Sequence, residues 1–463
     1  MAVNVAVIAA VAAAAARTPT DLAVDAYSFL YPLMVMHETQ VQSGGVPNKL
    51  INVPAFIPPS IHKVVRPNED TLYSIAWLNI SAGPVVLEVP DTDGRYYLFQ
   101  MMSAYSDTFA SPGARTTGTK AGKFVVVGPR YDPSSSPQLP AGATVLNSTT
   151  EDVWVLGRTQ CDGPSDYPAV RAIQAGYKLT PLAAWRDDSA VPRLHTTGPA
   201  AAAADPPPPP DVVAAMNAET FFTTACSLLA RNPPTAADAP FIAAVFAPLG
   251  LPSNGAALAW SALPAATQKS LNDAVPVALA AVRANSTHLP GSETVDGWEY
   301  GPSDVGSYGT HYALRAAVAL NGLGANLPED AIYIQYPELS PGQQFELTFK
   351  GDAMPPVNAF WSITAYNNAG YLEPNAQKVY ALHGWDALVP NADGGVTLAF
   401  GDKIPRRPIA VQNWLPAPAN GKNWSLQTRL YWPKDAALSR AWRMPALVVA
   451  QKTPSQLPQL EHA

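Results

Sequence analysis

Short apolar runs closed by turn residues recur along this chain, and they limit what it can fold into more than any other feature. "GPVVLEVPDTDGRYYLFQMM" holds two such runs, Val85 to Val89 and Arg95 to Met101, around Asp91 to Gly94. Asp-Gly supplies the positive φ that a tight turn needs, so a hairpin is predicted there. "KFVVVGP", "ATVLNST" and "EDVWVLGRT" follow at similar spacing. Beyond Tyr333 the pattern returns in "QFELTFK", "AFWSITAYN", "VTLAF", "RRPIAVQNW", "SLQTRLYWP" and "PALVVAQ". Strands of this length between Gly, Pro, Asn and Asp turns pack as antiparallel sandwiches or barrels. The 48 prolines and the 14% charged residues suit such a turn-rich chain better than one built on long amphipathic helices.

Between the two β-rich blocks the period lengthens. "DVVAAMNAETFFTTACSLLARN" reads as one helix opened by Asp211 and stopped by Pro233 and Pro234, with further helices near 265–284 and 308–321. Earlier, "DLAVDAYSFLYPLMVMHET" has helical spacing over Asp21 to Thr39 with a kink or break expected at Pro32, and a short helix is predicted from Tyr167 to Tyr177. "DDSAVPRLHTTGPAAAAADPPPPP" is an Ala/Pro-rich linker whose proline run is extended and semi-rigid. The expected organisation is therefore a signal segment over 1–16, an N-terminal β-rich domain over 17–186, the linker over 187–210, a helical connector over 211–325 and a C-terminal β-sandwich over 326–463. The fold class is α+β, mainly β.

The formal charge of −7 and the scattered Lys and Arg residues exclude a nucleic-acid footprint, so no nucleic-acid partner is expected. "MAVNVAVIAAVAAAAARTPTD" has an apolar segment of signal-peptide length ending in small residues, which predicts a secreted or periplasmic protein, although the basic n-region is lacking. No later segment reaches transmembrane length. Asn79, Asn147, Asn285 and Asn423 begin N-x-S/T tripeptides, which arise by chance at about this rate. Cys161 and Cys226 are too few for a thiolate zinc site and read as buried thiols, with one disulfide as the alternative.

Familiar catalytic signatures fail on reading. "HETQV" at His37 has Val41 where a zincin needs its second histidine, "GPSDVG" spaces its serine wrongly for a nucleophile elbow, and "GARTTGTK" lacks the ending of a P-loop. No dinucleotide fingerprint occurs. The histidines at 37, 62, 195, 288, 311, 383 and 462 share no ligand spacing, so no metal site is assigned.

What remains is polar groups set among apolar strands. Arg66, Asn68 and Asp70 crowd into "VVRPNEDTLYSIAWLNI" before Tyr73 enters a strand; Tyr96, Tyr97, Tyr105 and Asp107 lie in and after the expected hairpin, and Arg115 follows. Brought together, they would form a pocket of guanidinium, carboxylate, amide and phenol groups. In that pocket Arg66 would orient an anionic group, Asp70 would act as acid or base, and Tyr73 would line the reacting centre. Asn68, Tyr97, Tyr105, Asp107 and Arg115 would bind substrate. Arg66 paired with Asp70, and Asn68 closing an Asx turn after Pro67, give the purely architectural alternative. Further on, Trp361, Tyr366, Asn367, Asn413, Trp414, Arg429, Tyr431 and Trp432 form an aromatic and amide collection, with Trp361 and Asn413 as candidate sugar contacts against an ordinary aromatic core.

"VVRPNEDTLYSIAWLNI", "VPDTDGRYYLFQMMSAYSDTFASPGARTTGT" and "VWVLGRTQCDG" resemble the family called domain of unknown function 1254. "AFWSITAYNNAGYL", "NWLPAP" and "RLYWP" resemble its usual C-terminal companion, domain of unknown function 1214. The resemblance implies two jelly-roll-like antiparallel β-sandwich domains joined by helices, often in a homo-oligomer; the linker and "LSPGQQFELTF" depart from it. It assigns no reaction and no cofactor. The expected function is binding of a small polar, carbohydrate-like or carboxylated ligand, with hydrolysis or elimination as the candidate chemistry. A non-catalytic interaction or assembly protein is the alternative, and a metal-assisted enzyme using dispersed histidines the third reading.

Overall fold

The computed structural model describes residues 17–44, 46–62, 65–134, 136–186, 196–197, 207–405 and 409–450. The expected signal segment and most of the expected linker lie outside the described residues. The chain divides into two compact units that do not follow the linear division. The first comprises 1–55, 71–291 and 302–327, and the second 56–70, 292–301 and 328–463. The helices expected to form a separate connector thus belong to the first unit, and the loop carrying Arg66 to Asp70 belongs to the second.

In the first unit α1 (Pro19–Gln42) starts with a capping box in which Thr18 and Asp21 satisfy each other's backbone N–H groups, with Pro19 at the first turn. The helix runs on across Pro32, which is itself buried. One lost backbone hydrogen bond is offset there by packing on nearly every side: Tyr27 stacks on Phe221 at 4.1 Å, and Phe29 meets Phe241 and Phe246. Around α1 lie α2 (Ala218–Leu228), α3 (Ala265–Thr287) and α4 (Tyr312–Asn321). The helix expected to run on from Asp211 is two helices, Pro209–Ala214 and α2, because Asn217 caps the second by accepting from Thr220 N–H at 2.8 Å. The helix predicted after Tyr167 spans Tyr167–Gly176.

The sandwich of this unit is built from β1 (Thr71–Asn79), β2 (Val85–Val89), β3 (Tyr97–Ser103), β4 (Gly122–Val127), β5 (Asp152–Gln160) and β6 (Lys178–Pro181). One sheet has β1, β5 and β3 as its antiparallel centre, and the other has β4, β2 and β6. Leu78, Phe99 and Val155 from the first meet Leu87 and Val126 from the second. The predicted hairpin is instead a crossing between sheets: β2 pairs with β4 and β6, whereas β3 pairs with β5. The turn itself forms, with Asp93 at φ +53° and Gly94 at φ +80°. Both flanking runs bury both faces, and burial in opposed sheets satisfies them better than pairing with each other.

The second unit repeats the sandwich with β7 (Ala331–Leu339), β8 (Phe345–Phe349), β9 (Val357–Asn367), β10 (Ala381–His383), β11 (Val396–Gly401) and β12 (Trp424–Pro433). One sheet runs from the short strands Glu293–Val295 and Trp298–Tyr300 through β7, β12 and β9 to β10; β11 and β8 are central in the other. Leu426, Leu430, Ile334 and Ile363 pack against Leu347, Leu398 and Phe400 between them. Of the run "RRPIAVQNW", the described part becomes a 3-10 turn, Val411–Asn413, leading into a short parallel strand, Trp414–Pro416. The fold is α+β with sandwich-like, mainly antiparallel sheets, and no described helix is long and apolar enough to cross a membrane.

Candidate functional site

Strand β12 alternates Ser425, Gln427, Arg429 and Tyr431 with Trp424, Leu426, Thr428 and Leu430. Period two sends the first set to one face and the second to the core. Directly opposed residues of antiparallel neighbours project to the same side, so the register writes out a polar lattice. Arg429 faces Tyr333 on β7 and Ser362 on β9, and Ser362 faces His383 on β10. One row along, Gln427 faces Gln335 and Thr364; beyond it Ser425 faces Tyr366. Both faces of β12 are buried, so this polar set must satisfy itself or bind something.

The loop ending at Asp70 supplies its partners. Arg66 is held at φ +52° by its N–H, which donates to the Gly370 carbonyl at 2.8 Å. A non-glycine residue there is strained, and such strain concentrates at functional sites. Asn68 Oδ1 accepts the Asp70 N–H at 2.9 Å and closes the Asx turn. Arg429, only 3% exposed, donates through Nη1 to Thr364 Oγ1 at 3.0 Å and through Nη2 to the Arg66 carbonyl at 2.9 Å and Tyr366 Oη at 2.8 Å. The Tyr366 hydroxyl in turn donates to the Pro67 carbonyl at 2.6 Å. The sheet's buried arginine therefore grips the loop through its backbone.

Asp70 is fully buried. Its Oδ2 accepts the Tyr431 hydroxyl at 2.8 Å, and His383 Nε2 lies 3.2 Å from Oδ1 and 3.1 Å from the Glu69 carbonyl. The other ring nitrogen, Nδ1, lies 3.2 Å from Asp386 Oδ2, and the imidazole stacks on Trp385 at 4.5 Å. Burial opposes the charge on His383, but Asp386 and Asp70 outweigh it and push its pKa up to about 10. Burial likewise opposes the charge on Asp70, yet His383 and Arg429 hold its carboxyl below the usual range. With a carboxylate on each side, His383 is an imidazolium with no lone pair for a base, so Ser362 beside it does not complete a nucleophilic pair. Glu69 differs: burial and the adjacent Asp70 charge push its carboxyl up to about 8, leaving it protonated at neutral pH.

Arg66 and Asp70 do not pair with each other. Among the described residues the Arg66 guanidinium has one long hydrogen bond, to Ser425 Oγ at 3.4 Å, and it lies 5.6 Å from the Tyr366 ring centroid. Among the described residues it forms no ion pair, and burial, followed by the nearby Arg429 charge, lowers its pKa.

The remaining sequence candidates fall elsewhere. Tyr73, on β1, accepts from Arg158 Nη1 at 3.0 Å. Tyr97 is a core residue of β3 within 3.4 Å of Thr117 Oγ1, and Arg115 is half-buried in the turn after Gly113. Tyr105 sits in the helical core with its hydroxyl on the Asn232 carbonyl at 3.0 Å, while Asp107 accepts Tyr308 N–H at 3.0 Å beside Arg315. Trp361 is on the core face of β9 against Phe349. Asn413 uses its whole amide on Val389 and Thr397 backbone groups, tying a loop to β11. The structure brings together Arg66, Asn68 and Asp70, joins to them Tyr366, Arg429 and Tyr431 from the C-terminal aromatic and amide collection, and adds Glu69 and His383. The alternation Ser-x-Gln-x-Arg-x-Tyr in β12 was the readable signal for Arg429 and Tyr431; nothing local marks His383.

Two α+β units, one with a buried polar sheet face bridged by a Pro-Asn loop, define a two-domain sandwich protein. The chain belongs to the proteins that pair two family models: residues 47–181 match protein of unknown function (DUF1254), and residues 335–435 match protein of unknown function (DUF1214). The crystal structure of the VPA0106 protein from Vibrio parahaemolyticus is similar over 94% of this chain and 100% of that one, at 20% identity and a TM-score of 0.68, which shows the fold. An uncharacterized protein from Burkholderia cenocepacia aligns over 92% of this chain and 88% of its own, at 13% identity and a TM-score of 0.43, too weak a likeness to bear on the fold. No curated protein matches the chain. Cys161 and Cys226 are both free and buried, and among the described residues no three His, Cys, Asp or Glu side chains are placed to hold a metal ion.

Proposed function

We propose that this protein binds a small carboxylated or carbohydrate-like ligand on the polar sheet face of its second unit, with Arg66 receiving the anionic group. The observation that carries the reading is the Arg66 guanidinium: part-buried, strained in its backbone, and without a carboxylate partner among the described residues. A desolvated guanidinium held by a long hydroxyl contact and an aromatic face gains most from a bidentate anion. Arg429, by contrast, makes three hydrogen bonds of ordinary length and acts as the clamp that positions the loop.

Asp70 serves this site as a positioning residue, since both its oxygens face His383 or Tyr431 in a fully buried setting. Glu69, whose carboxyl burial and the Asp70 charge push up to about 8, is the candidate proton donor if the bound ligand is cleaved with acid assistance. The apolar segment before Arg17 supports export of the protein. The test is a thermal-shift screen of sugars, uronic acids and aliphatic carboxylates on wild type and Arg66→Asn. Stabilisation of wild type by carboxylates, absent in the variant, supports the reading; equal response of both proteins, or none, removes it.

A further inference from the structure

We infer that Gln427 is a specificity-determining residue for this ligand, selecting a hydroxy acid over a simple carboxylate; the inference rests on the Arg66 reading above. Gln427 is 8% exposed and its Oε1 has no hydrogen-bond partner among the described residues. A buried amide oxygen left unpaired is costly, and a site holding one favours a ligand that brings the missing donor. Its place follows from the register. Ser425, which Arg66 touches, and Gln427 lie two residues apart on the same face of β12, a separation of roughly 7 Å along the strand.

That span suits a molecule whose carboxylate meets Arg66 and whose hydroxyl, a few bonds away, donates to Gln427. The neighbouring side chains choose between donors. Gln427 is neutral, Arg429 lies two residues along on the same face and Arg66 is nearby, against one carboxylate, Glu299, two strands away in the same row, so a second cation such as an ammonium is less favoured there than a hydroxyl. Thr364, opposite Gln427, accepts from Arg429 and makes no hydrogen bond to the amide oxygen. Uronic acids and short hydroxyalkanoates meet these requirements.

The test uses calorimetric or NMR titration of the full chain with butyrate, 4-hydroxybutyrate, 4-aminobutyrate and glucuronate, on wild type, Gln427→Leu and Gln427→Glu. Wild type should bind the better hydroxy acid roughly tenfold more tightly than butyrate, the scale on which a buried partnerless acceptor discriminates. Gln427→Leu should bring the two within about threefold while butyrate binding is kept. Gln427→Glu, which keeps an acceptor and so guards against a packing artefact in the leucine variant, should retain the preference for the hydroxy acid over butyrate. If wild type binds butyrate and the hydroxy acids equally in an Arg66-dependent way, or prefers 4-aminobutyrate, the inference is overturned and the anion site stands. If none of the carboxylates binds, the anion site falls and the inference with it.

Discussion

Asp70 and His383 stand 3.2 Å apart, carboxylate oxygen to imidazole nitrogen, and each depends on the other for its charge. One comes from the Pro-Asn loop and the other from β10, so the pair fastens the loop to the end of the sheet. Removing one member of a buried ion pair leaves the other unbalanced. Asp70→Asn should therefore destabilise the protein by roughly 3 to 5 kcal/mol in urea unfolding, and His383 should titrate lower by NMR. A change under about 1 kcal/mol would mean the pair is not holding the loop.

Arg66 and Arg429 should respond oppositely to substitution. Arg66→Asn removes a guanidinium with one long hydrogen bond and one ring contact and places a residue tolerant of positive φ at a strained position, so stability should stay within about 1 kcal/mol. Arg429→Gln breaks bonds to Thr364, Tyr366 and the Arg66 carbonyl and removes one of the two cations that stabilise Asp70's charge, and should cost roughly 3 kcal/mol or more. Chemical denaturation of the two variants side by side checks the contrast.

Stability should fall as pH rises past neutrality. His383 holds its proton to about 10 when folded against an ordinary 6.5, so its contribution is whole below 6.5 and is lost as pH climbs through about 10. Glu69, raised from 4.5 to about 8, acts in the same sense over its own lower window. Asp70 works the other way: its contribution is present above its ordinary 3.8 and is lost as pH falls through its lower folded value. Urea midpoints measured from pH 5 to 10 should decline across the range, through Glu69 up to about 8 and through His383 from 6.5 to about 10, and His383→Gln should flatten the upper part of that slope. A midpoint constant across the range would contradict the charge assignment.

Cys161 and Cys226 are buried and their thiols are pushed up to about 12 by burial. Neither should react with a thiol-specific reagent in the native protein at neutral pH, and both should react in denaturant. Rapid native labelling of either would show that its surroundings open.

The strands were legible because alternation is local: "SLQTRLYWP" announces one apolar and one polar face without further context. The partner of each strand was not. Asp93-Gly94 makes the turn its residues dictate, yet β2 and β3 part into opposite sheets because both faces of each need burial, which no window of sequence displays. The Arg-Pro-Asn-Glu-Asp loop stood out as a polar cluster before an apolar strand. Its counterparts could not be named from spacing, since Tyr366, His383 and Arg429 reach Pro67, Asp70 and Arg66 only through the register of β9, β10 and β12. Tyr97, Tyr105 and Asp107, close to the loop in sequence, serve the core of the other unit.

The central claim is that Arg66 is the anion receptor and Arg429 its support. Following both arginine side-chain Nε–H resonances by NMR while titrating glucuronate tests it most directly. The Arg66 signal should move with a saturable dependence on ligand while that of Arg429 stays nearly fixed. Movement of Arg429 alone, or of neither in the presence of demonstrated carboxylate binding, would contradict the account.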